Sequence, residues 1–298
     1  MIDEEETDKT GGTMDSLKTK LCRIEEIRSE KSTYNDILSL FEKIFIERDK
    51  VQQTLPPPKD SLDQDGITLR IQEGFPLLEQ QHIHEACKTA ETYFFRLLEV
   101  VSFSNPDAVG KIREVMEEKE FTFEKIVNTM MTSEAETFFQ ALEERTLLLF
   151  LIKESLRPVL HVYREGLKGN VDLTTWSEGA CPICGSFPSF SELRGEEGKR
   201  YLFCLDCGME WEFERIKCPF CNNQDQKKMG YFSSDTDRFY RVMLCSSCKR
   251  YIKAADYREA LKGVVPEVDH LATLHLDLIA KKEGYRTEDV LVALLAPA

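Results

Sequence analysis

Apolar side chains recur at helical spacing through the first 175 residues of the chain. A first set follows Ser32-Thr33, and a second long amphipathic pattern covers 75–101. Between them the run Leu-Pro-Pro-Pro-Lys at 55–59 breaks the chain as a linker. We therefore predict a helical domain over 14–175. One face of its first long helix carries Tyr34, Ile37, Leu38, Phe41, Ile44 and Phe45.

The last helix of this domain is expected to form the centre of its core. It opens with a capping box at 133–136 and contains the apolar run 147–152. Pro158 is expected to kink or end this helix, because proline lacks the backbone N–H that the helix would bond. Ahead of the domain, residues 1–13 are charged and end in two glycines, which predicts a disordered tail.

After residue 175 the apolar positions change to the alternation of β-strands. A hairpin turn is indicated at 195–198, and the same three-strand plan is then repeated. A further helix is predicted at 268–282. The fold class is therefore α+β, with an N-terminal all-α domain, two tandem modules and a C-terminal helix. The strands are predicted at 190–193, 200–203, 210–214, 229–232, 239–244 and 251–254.

Eight of the ten cysteines form four Cys-x-x-Cys pairs within these modules. A Cys-x-x-Cys turn presents two thiolates to one side, so two turns complete a tetrahedral Cys₄ site. We predict two metal ions per chain, iron or zinc, in rubredoxin-like or zinc-ribbon modules at 176–215 and 216–258, followed by a helical tail at 259–298. The predicted ligands are Cys181, Cys184, Cys204, Cys207, Cys218, Cys221, Cys245 and Cys248.

The repeat of strands indicates how the pairs combine. We expect the first turn to join the second and the third to join the fourth, while a site made by the two middle turns stays open. After the first and third turns, Gly185 and Asn222 suit a left-handed backbone. Such small modules cannot bury enough apolar surface to fold alone, so metal binding should supply folding free energy.

Three roles are open for the metals. Filled Cys₄ shells favour a purely structural role, because they leave no coordination position for water or substrate. A Cys₄ site also suits iron, so electron transfer of the rubredoxin kind is an alternative. Dithiol exchange is disfavoured, because it uses one Cys-x-x-Cys pair rather than four at this spacing.

Charge narrows the choice of partners. The net charge is −14, and residues 1–180 hold 22 Lys and Arg against 35 Asp and Glu. Nucleic acid binding requires a basic face, so we expect no nucleic acid partner and favour a partner that carries positive charge. No run of residues suits a membrane span and none resembles an export signal, so we expect a cytoplasmic protein without membrane insertion.

The remaining candidates are weaker. Cys22 and Cys87 stand alone in helical patterns and are expected to be small buried side chains. Trp211, Tyr231 and Tyr251 are candidates for contact with a bound peptide, although aromatic residues of this kind also fill the thin core of a ribbon. The five histidines have no diagnostic partner at metal-site spacing, and no nucleophile, phosphate loop or paired carboxylates indicate catalysis, so we expect no enzyme.

Together the four pairs and the sequence around them resemble the formate dehydrogenase accessory protein family (FdhE type). The resemblance rests on the approach Arg200-Tyr-Leu-Phe-Cys204, the exit Cys248-Lys-Arg-Tyr-Ile-Lys253 and the tail from Asp269 to Tyr285. It spans 181–286. Over 1–175 the likeness is confined to length and helical character.

The resemblance implies a cytoplasmic, non-enzymatic maturation chaperone for an exported formate dehydrogenase. Members of the family bind the twin-arginine signal peptide or the immature catalytic subunit until its cofactors are loaded. Their metal is usually described as iron, and their eight ligand cysteines correspond to the eight paired cysteines of this sequence. The alternatives from the residues alone are an adaptor that binds nucleic acid or another protein, and an electron carrier.

Overall fold

The computed structural model describes residues 16–57, 63–117, 121–130, 139, 143–234, 237–258 and 263–287. The predicted tail at 1–13 and the capping box at 133–136 lie outside the described residues. The fold class is confirmed: helices come first, and a sheet that carries both cysteine clusters follows.

Seven helices lie in the described part of the chain before the sheet. Ser16 caps the first helix, because its side chain accepts a hydrogen bond from the Thr19 backbone N–H. Asp63 caps the third helix in the same way by accepting from the Gly66 backbone N–H. They are α1 (Leu17–Glu30), α2 (Asn35–Gln52), α3 (Gln64–Gln72), α4 (Gln80–Ser102), α5 (Pro106–Glu117), α6 (Phe123–Met130) and α7 (Arg145–Lys168).

Pro158 was predicted to kink or end its helix. Helix α7 continues through Pro158 to Lys168, so the proline does not end it. Helix α4 begins at Gln80, five residues after the predicted start of its pattern. The residues before it are not helical, and two of them bond to the first cysteine turn instead: the Leu77 and Leu78 N–H groups donate to the carbonyls of Pro182 and Ile183.

The helical core forms where α4 lies along α7 and α2 packs beside both. Its central side chains have no measurable exposure, and burying each contributes about 1.5–3 kcal/mol. These side chains come from the apolar stripes that the helical spacing predicts. They include Leu38, Ile44, Phe94, Leu97, Leu98, Leu151 and Ile152.

The two cysteine modules share one six-stranded sheet in the order β3-β2-β1-β6-β5-β4. Each half is antiparallel, and the halves join where β1 runs parallel to β6 with Phe190 opposite Lys253. The strands are β1 (Phe190–Arg194), β2 (Lys199–Phe203), β3 (Glu210–Phe213), β4 (Met229–Ser233), β5 (Tyr240–Cys245) and β6 (Arg250–Ala255).

The C-terminal segment contains two helices where one was predicted over 268–282. They are α8 (Pro266–Leu271) and α9 (Leu274–Lys282), separated at Ala272 and Thr273. Because of this break, the two helices pack against two different cores. Val268 and Leu271 pack into the helical core, whereas Leu276 and Ala280 pack against the sheet.

Buried ion pairs tie α8 to the helical domain. Lys20, Arg48 and Arg157 all contact the Glu267 carboxylate, at 2.5, 2.7 and 2.7 Å. Burial alone would raise the pKa of Glu267, but the three cations, led by Arg48, lower it below its usual value. Two residues further on, Asp269 accepts a hydrogen bond from Arg23 at 2.8 Å.

Candidate metal centres

All four cysteine turns have the same backbone geometry. The N–H of the residue after the second cysteine donates to the carbonyl of the first, at 2.9–3.0 Å. That residue has a positive φ in every turn: 76° at Gly185, 78° at Gly208, 57° at Asn222 and 58° at Lys249. The left-handed backbone predicted at Gly185 and Asn222 is confirmed. Lys249 was missed, because lysine does not favour this conformation.

The first candidate centre brings together Cys181, Cys184, Cys204 and Cys207. The Sγ atoms of Cys181 and Cys207 are 3.5 Å apart, and those of Cys184 and Cys204 are 3.4 Å apart. A tetrahedral ion with metal–sulfur bonds of ~2.3 Å would separate its ligands by roughly 3.8 Å. The four sulfur atoms all lie within 4.8 Å of one another, so the cluster fits such an ion after a small expansion.

The second centre is formed by Cys218, Cys221, Cys245 and Cys248. The sulfur pairs Cys218–Cys248 and Cys221–Cys245 both lie at 3.7 Å. This pairing of the third turn with the fourth confirms the prediction and excludes a site made by the two middle turns. The second centre is the more accessible of the two, since Cys221 is exposed and Cys248 is half-buried.

The donor set fits zinc or iron. Burial raises the pKa of the Cys181 and Cys207 thiols well above the ordinary value, so these groups are protonated in a metal-free cluster. Hydrogen bonds from the neighbouring thiols, led by Cys181, lower the pKa of Cys184. A bound divalent cation would supply the charge that allows all four thiolates to coexist there. The four cysteines would then occupy the whole coordination shell of the ion, so all of its ligands would come from the protein.

The region that holds both centres matches two family models. The model described as "FdhE, central domain" matches residues 180–215, and "FdhE, C-terminal domain" matches residues 216–294. A "Protein FdhE homolog" of Aquifex aeolicus is 28% identical over 284 residues, which cover 92% of this chain and 96% of that protein. The chain is thus similar to an FdhE protein over nearly its whole length, and the region with both cysteine clusters matches the FdhE models.

Other FdhE proteins match over shorter segments. A homologue from Haemophilus influenzae is 34% identical over 107 residues, 35% of this chain and 35% of that protein. The crystal structure of the FdhE protein from Pseudomonas aeruginosa has the same fold. It superposes with a TM-score of 0.71 at 23% sequence identity, covering 95% of this chain and 97% of that one.

The structure corrects two of the three peptide-binding candidates. Trp211 and Tyr251 are only 2% and 3% exposed, so the prediction that they contact a peptide is wrong. The indole of Trp211 donates to the Glu178 carbonyl at 3.3 Å, and the Tyr251 hydroxyl donates to Asp277 at 2.8 Å. Tyr231 is 60% exposed and stays a candidate.

The two single cysteines also differ. Cys87 is buried as predicted, and burial raises its pKa to about 11. Cys22 is exposed, which contradicts the prediction. Neither belongs to the two cysteine clusters found in the described part of the chain. None of the helices that the structure describes is both long and apolar enough to cross a membrane.

A cleft of about 670 Å³ lies between the end of α1, the second cysteine module and the turn from α8 to α9. Hereafter we call it the domain cleft. The aromatic part of its lining comprises Tyr34, Phe239, Tyr240 and Tyr257.

A polar chain crosses one wall of the domain cleft. The Tyr34 hydroxyl contacts His275 Nδ1 at 2.7 Å, and His275 Nε2 lies 2.8 Å from Asp237. Burial lowers the pKa of His275 despite the nearby Asp237 carboxylate. Asp237 also accepts a hydrogen bond from Lys31 at 2.5 Å. The sequence did not reveal this site because its members come from three distant segments.

Proposed function

We propose that this protein is a cytoplasmic maturation factor for an exported formate dehydrogenase. It binds the immature catalytic subunit, mainly through the twin-arginine leader, and has no catalytic activity of its own. The observation that carries the proposal is the FdhE-family match across 180–294, the region that contains all eight paired cysteines. The similarity to FdhE proteins supports a role in formate dehydrogenase maturation in general, and the leader as the recognised segment is our proposal.

The metals are proposed to be structural in this function. Each cluster offers four sulfur ligands, which complete a tetrahedral shell and leave no position for a substrate. The first cluster is enclosed by apolar side chains, among them Ile183, Leu202 and Trp211. Metal binding would therefore hold the sheet, and with it one wall of the domain cleft, in a fixed shape.

The domain cleft is our proposed site for the apolar part of the leader. Tyr34 and Phe239 are half-buried and offer aromatic surface to the cleft, and aromatic side chains of this kind anchor peptides in grooves. The charges that line the cleft are mixed, since Arg23, Lys31 and Arg238 accompany Glu30 and Asp237. The cleft itself therefore offers no net attraction to the arginines of a leader.

The exposed carboxylates of α1 lie beside the cleft, where Glu25 and Glu26 already pair with Arg28 and Arg23 of the same helix, so a leader would have to compete with these pairs. Glu25, Glu26 and Glu30 are all exposed on this helix, and Glu30 also lines the domain cleft. We propose that the paired arginines of the leader bind along this face while the apolar segment enters the cleft. Attraction of this type steers association and weakens as salt rises.

Calorimetry with the dehydrogenase catalytic subunit, with and without its leader, tests the function. We expect binding of the form that carries the leader and loss of most affinity when the leader is removed. Binding of neither form would reject the maturation role. Equal binding of both forms would reject the leader as the recognised segment and place recognition on the folded subunit.

Two matched pairs of variants test the proposed site. Phe239→Ala should weaken binding about tenfold, the effect of losing one aromatic anchor, whereas Phe103→Ala should not, although Phe103 is 83% exposed. Glu30→Lys should weaken binding about two- to fivefold at low salt, whereas Glu117→Lys on the exposed surface of α5 should have little effect. Equal effects within each pair would move the site away from the cleft.

Electron transfer is a second candidate, and one observation favours it. Cys221 is exposed, so an iron ion at the second centre would lie near the surface, where a redox partner could approach. Iron-loaded protein would then bleach reversibly with a reductant and pass electrons to an acceptor. Absence of a reversible colour change in iron-loaded protein would exclude this candidate.

A further inference from the structure

A buried arginine lies between the two cysteine modules with no carboxylate partner among the described residues. Arg200, on β2 of the first module, is 1% exposed. Its Nη1 donates to the Lys217 carbonyl at 3.1 Å, one residue before the ligand Cys218. Its Nε and Nη2 have no hydrogen-bond acceptor in the part of the chain that the structure describes. The guanidinium also lies 5.9 Å from the centre of the Phe213 ring.

Other buried cations of the chain have carboxylate partners. Arg23 contacts Asp269 at 2.8 Å, and Lys253 contacts Asp277 at 2.5 Å. Burial lowers the pKa of Arg200 to about 10, and the negative charge that opposes this shift comes from Cys218. Arg200 is therefore still a cation at neutral pH, with two N–H donors unsatisfied and a metal-ligand cysteine as its source of negative charge.

We propose that Arg200 is the counter-cation of the second cysteine centre. A divalent ion bound by four thiolates leaves a net charge of about −2, and a buried guanidinium beside it offsets part of that charge. The guanidinium is held next to Cys218 by the hydrogen bond from its Nη1 to the Lys217 carbonyl. A residue of the first module thus stabilises the metal of the second, and this role does not depend on which client the protein binds.

The same arrangement gives opposite effects in the two metal states. When the second centre holds no ion, the negative charge of the metal–thiolate cluster is absent, and the buried Arg200 guanidinium has less to compensate it. When the ion is bound, the charge is compensated. An apolar residue at position 200 should therefore weaken metal binding at the second centre and leave the metal-free protein as stable as, or more stable than, the original.

The test uses the full chain loaded with two cadmium ions, whose ¹¹³Cd NMR signals report the two centres separately through their couplings to the cysteine protons. In competition with a chelator, Arg200→Met should release cadmium from the second centre about 10- to 100-fold more readily, the usual effect of removing a group that supports a metal ligand. The first centre should change less than twofold. Arg200→Lys keeps the charge and should recover most of the loss.

A matched control is Arg194→Met on β1, because Arg194 pairs with Glu192 and Glu210 and not with a cysteine. It should leave both cadmium affinities unchanged.

Equal weakening of both centres in Arg200→Met, or failure of that variant to fold with metal, would show a merely structural role and overturn the proposal. So would an unchanged second centre, or an Arg200→Lys variant that binds no better than Arg200→Met. Urea unfolding of the metal-free forms supplies the second readout, and a less stable metal-free Arg200→Met would also contradict the proposal.

Discussion

Gly179 lies so close to Pro219 that a Cβ atom at position 179 would overlap the Pro219 carbonyl oxygen. This contact brings the segment that enters the first cysteine module against the third cysteine turn. Nearby, the Lys217 ammonium donates to the Ser177 carbonyl at 2.8 Å, and the Asn222 amide contacts the Glu178 carboxylate at 3.4 Å. The second module is therefore packed on the entrance to the first.

Gly179→Ala should destabilise the protein because the new methyl group meets backbone, which cannot rotate away. We expect a loss of about 1–3 kcal/mol in the free energy of unfolding, measured by urea denaturation. Gly110→Ala is the matched control. Gly110 lies within α5, where a Cβ atom would have no described neighbour within 4 Å, and alanine should stabilise that helix by up to about 1 kcal/mol. Similar effects of the two substitutions would contradict the close approach.

Metal content should be two ions per chain, iron and zinc counted together. Elemental analysis of Cys204→Ala and of Cys245→Ala should each show the loss of about one ion, because each removes one ligand from a different cluster. Cys22→Ala and Cys87→Ala should keep both ions, since these cysteines lie outside the clusters. Full metal content in Cys204→Ala would argue against four-thiolate ligation at the first centre.

Glu267→Gln should be destabilising in a pH-dependent way. The three cations around Glu267 lower its folded pKa, whereas an unfolded glutamate titrates at about 4.3. The stability that Glu267 contributes is therefore complete above that pH and is lost as the pH falls through the lower folded value. We expect a loss of about 3 kcal/mol at pH 7.

The difference in unfolding free energy between Glu267→Gln and the original protein should shrink below about pH 4, near the ordinary glutamate pKa. Urea titrations at several pH values measure it. Glu197→Gln, at the exposed turn between β1 and β2, is the control and should not change the unfolding free energy at any of these pH values. A difference that stays constant down to pH 3 would show that the carboxylate charge is not what matters.

The purified protein should not oxidise formate. The two clusters would bind their ions through four sulfur atoms each, so no coordination position is left for formate. Formate-dependent reduction of a dye, measured with protein free of any dehydrogenase, is the assay. The same preparation mixed with active dehydrogenase is the positive control, and activity of the purified chain alone would refute the non-enzymatic proposal.

Much of the architecture follows from short-range pattern. A Cys-x-x-Cys turn is defined by four consecutive residues, so its geometry and the left-handed residue after it could be read at Gly185 and Asn222. The strands were predicted to within one or two residues because alternation and turn residues are local signals. The pairing of the cysteine turns followed from the repeat of those strands. The family resemblance came from the same region.

What the sequence could not determine depends on contacts between distant segments. The parallel pairing of β1 with β6, which merges two modules into one sheet, joins residues about 60 positions apart and has no local signature. That sheet also buries Trp211 and Tyr251, although aromatic residues of these types would suit a binding surface equally well. The domain cleft likewise assembles Tyr34, Asp237 and His275 from three segments. Local sequence sets the backbone of each element, but burial and charge compensation depend on which elements meet, and only the tertiary structure decides that.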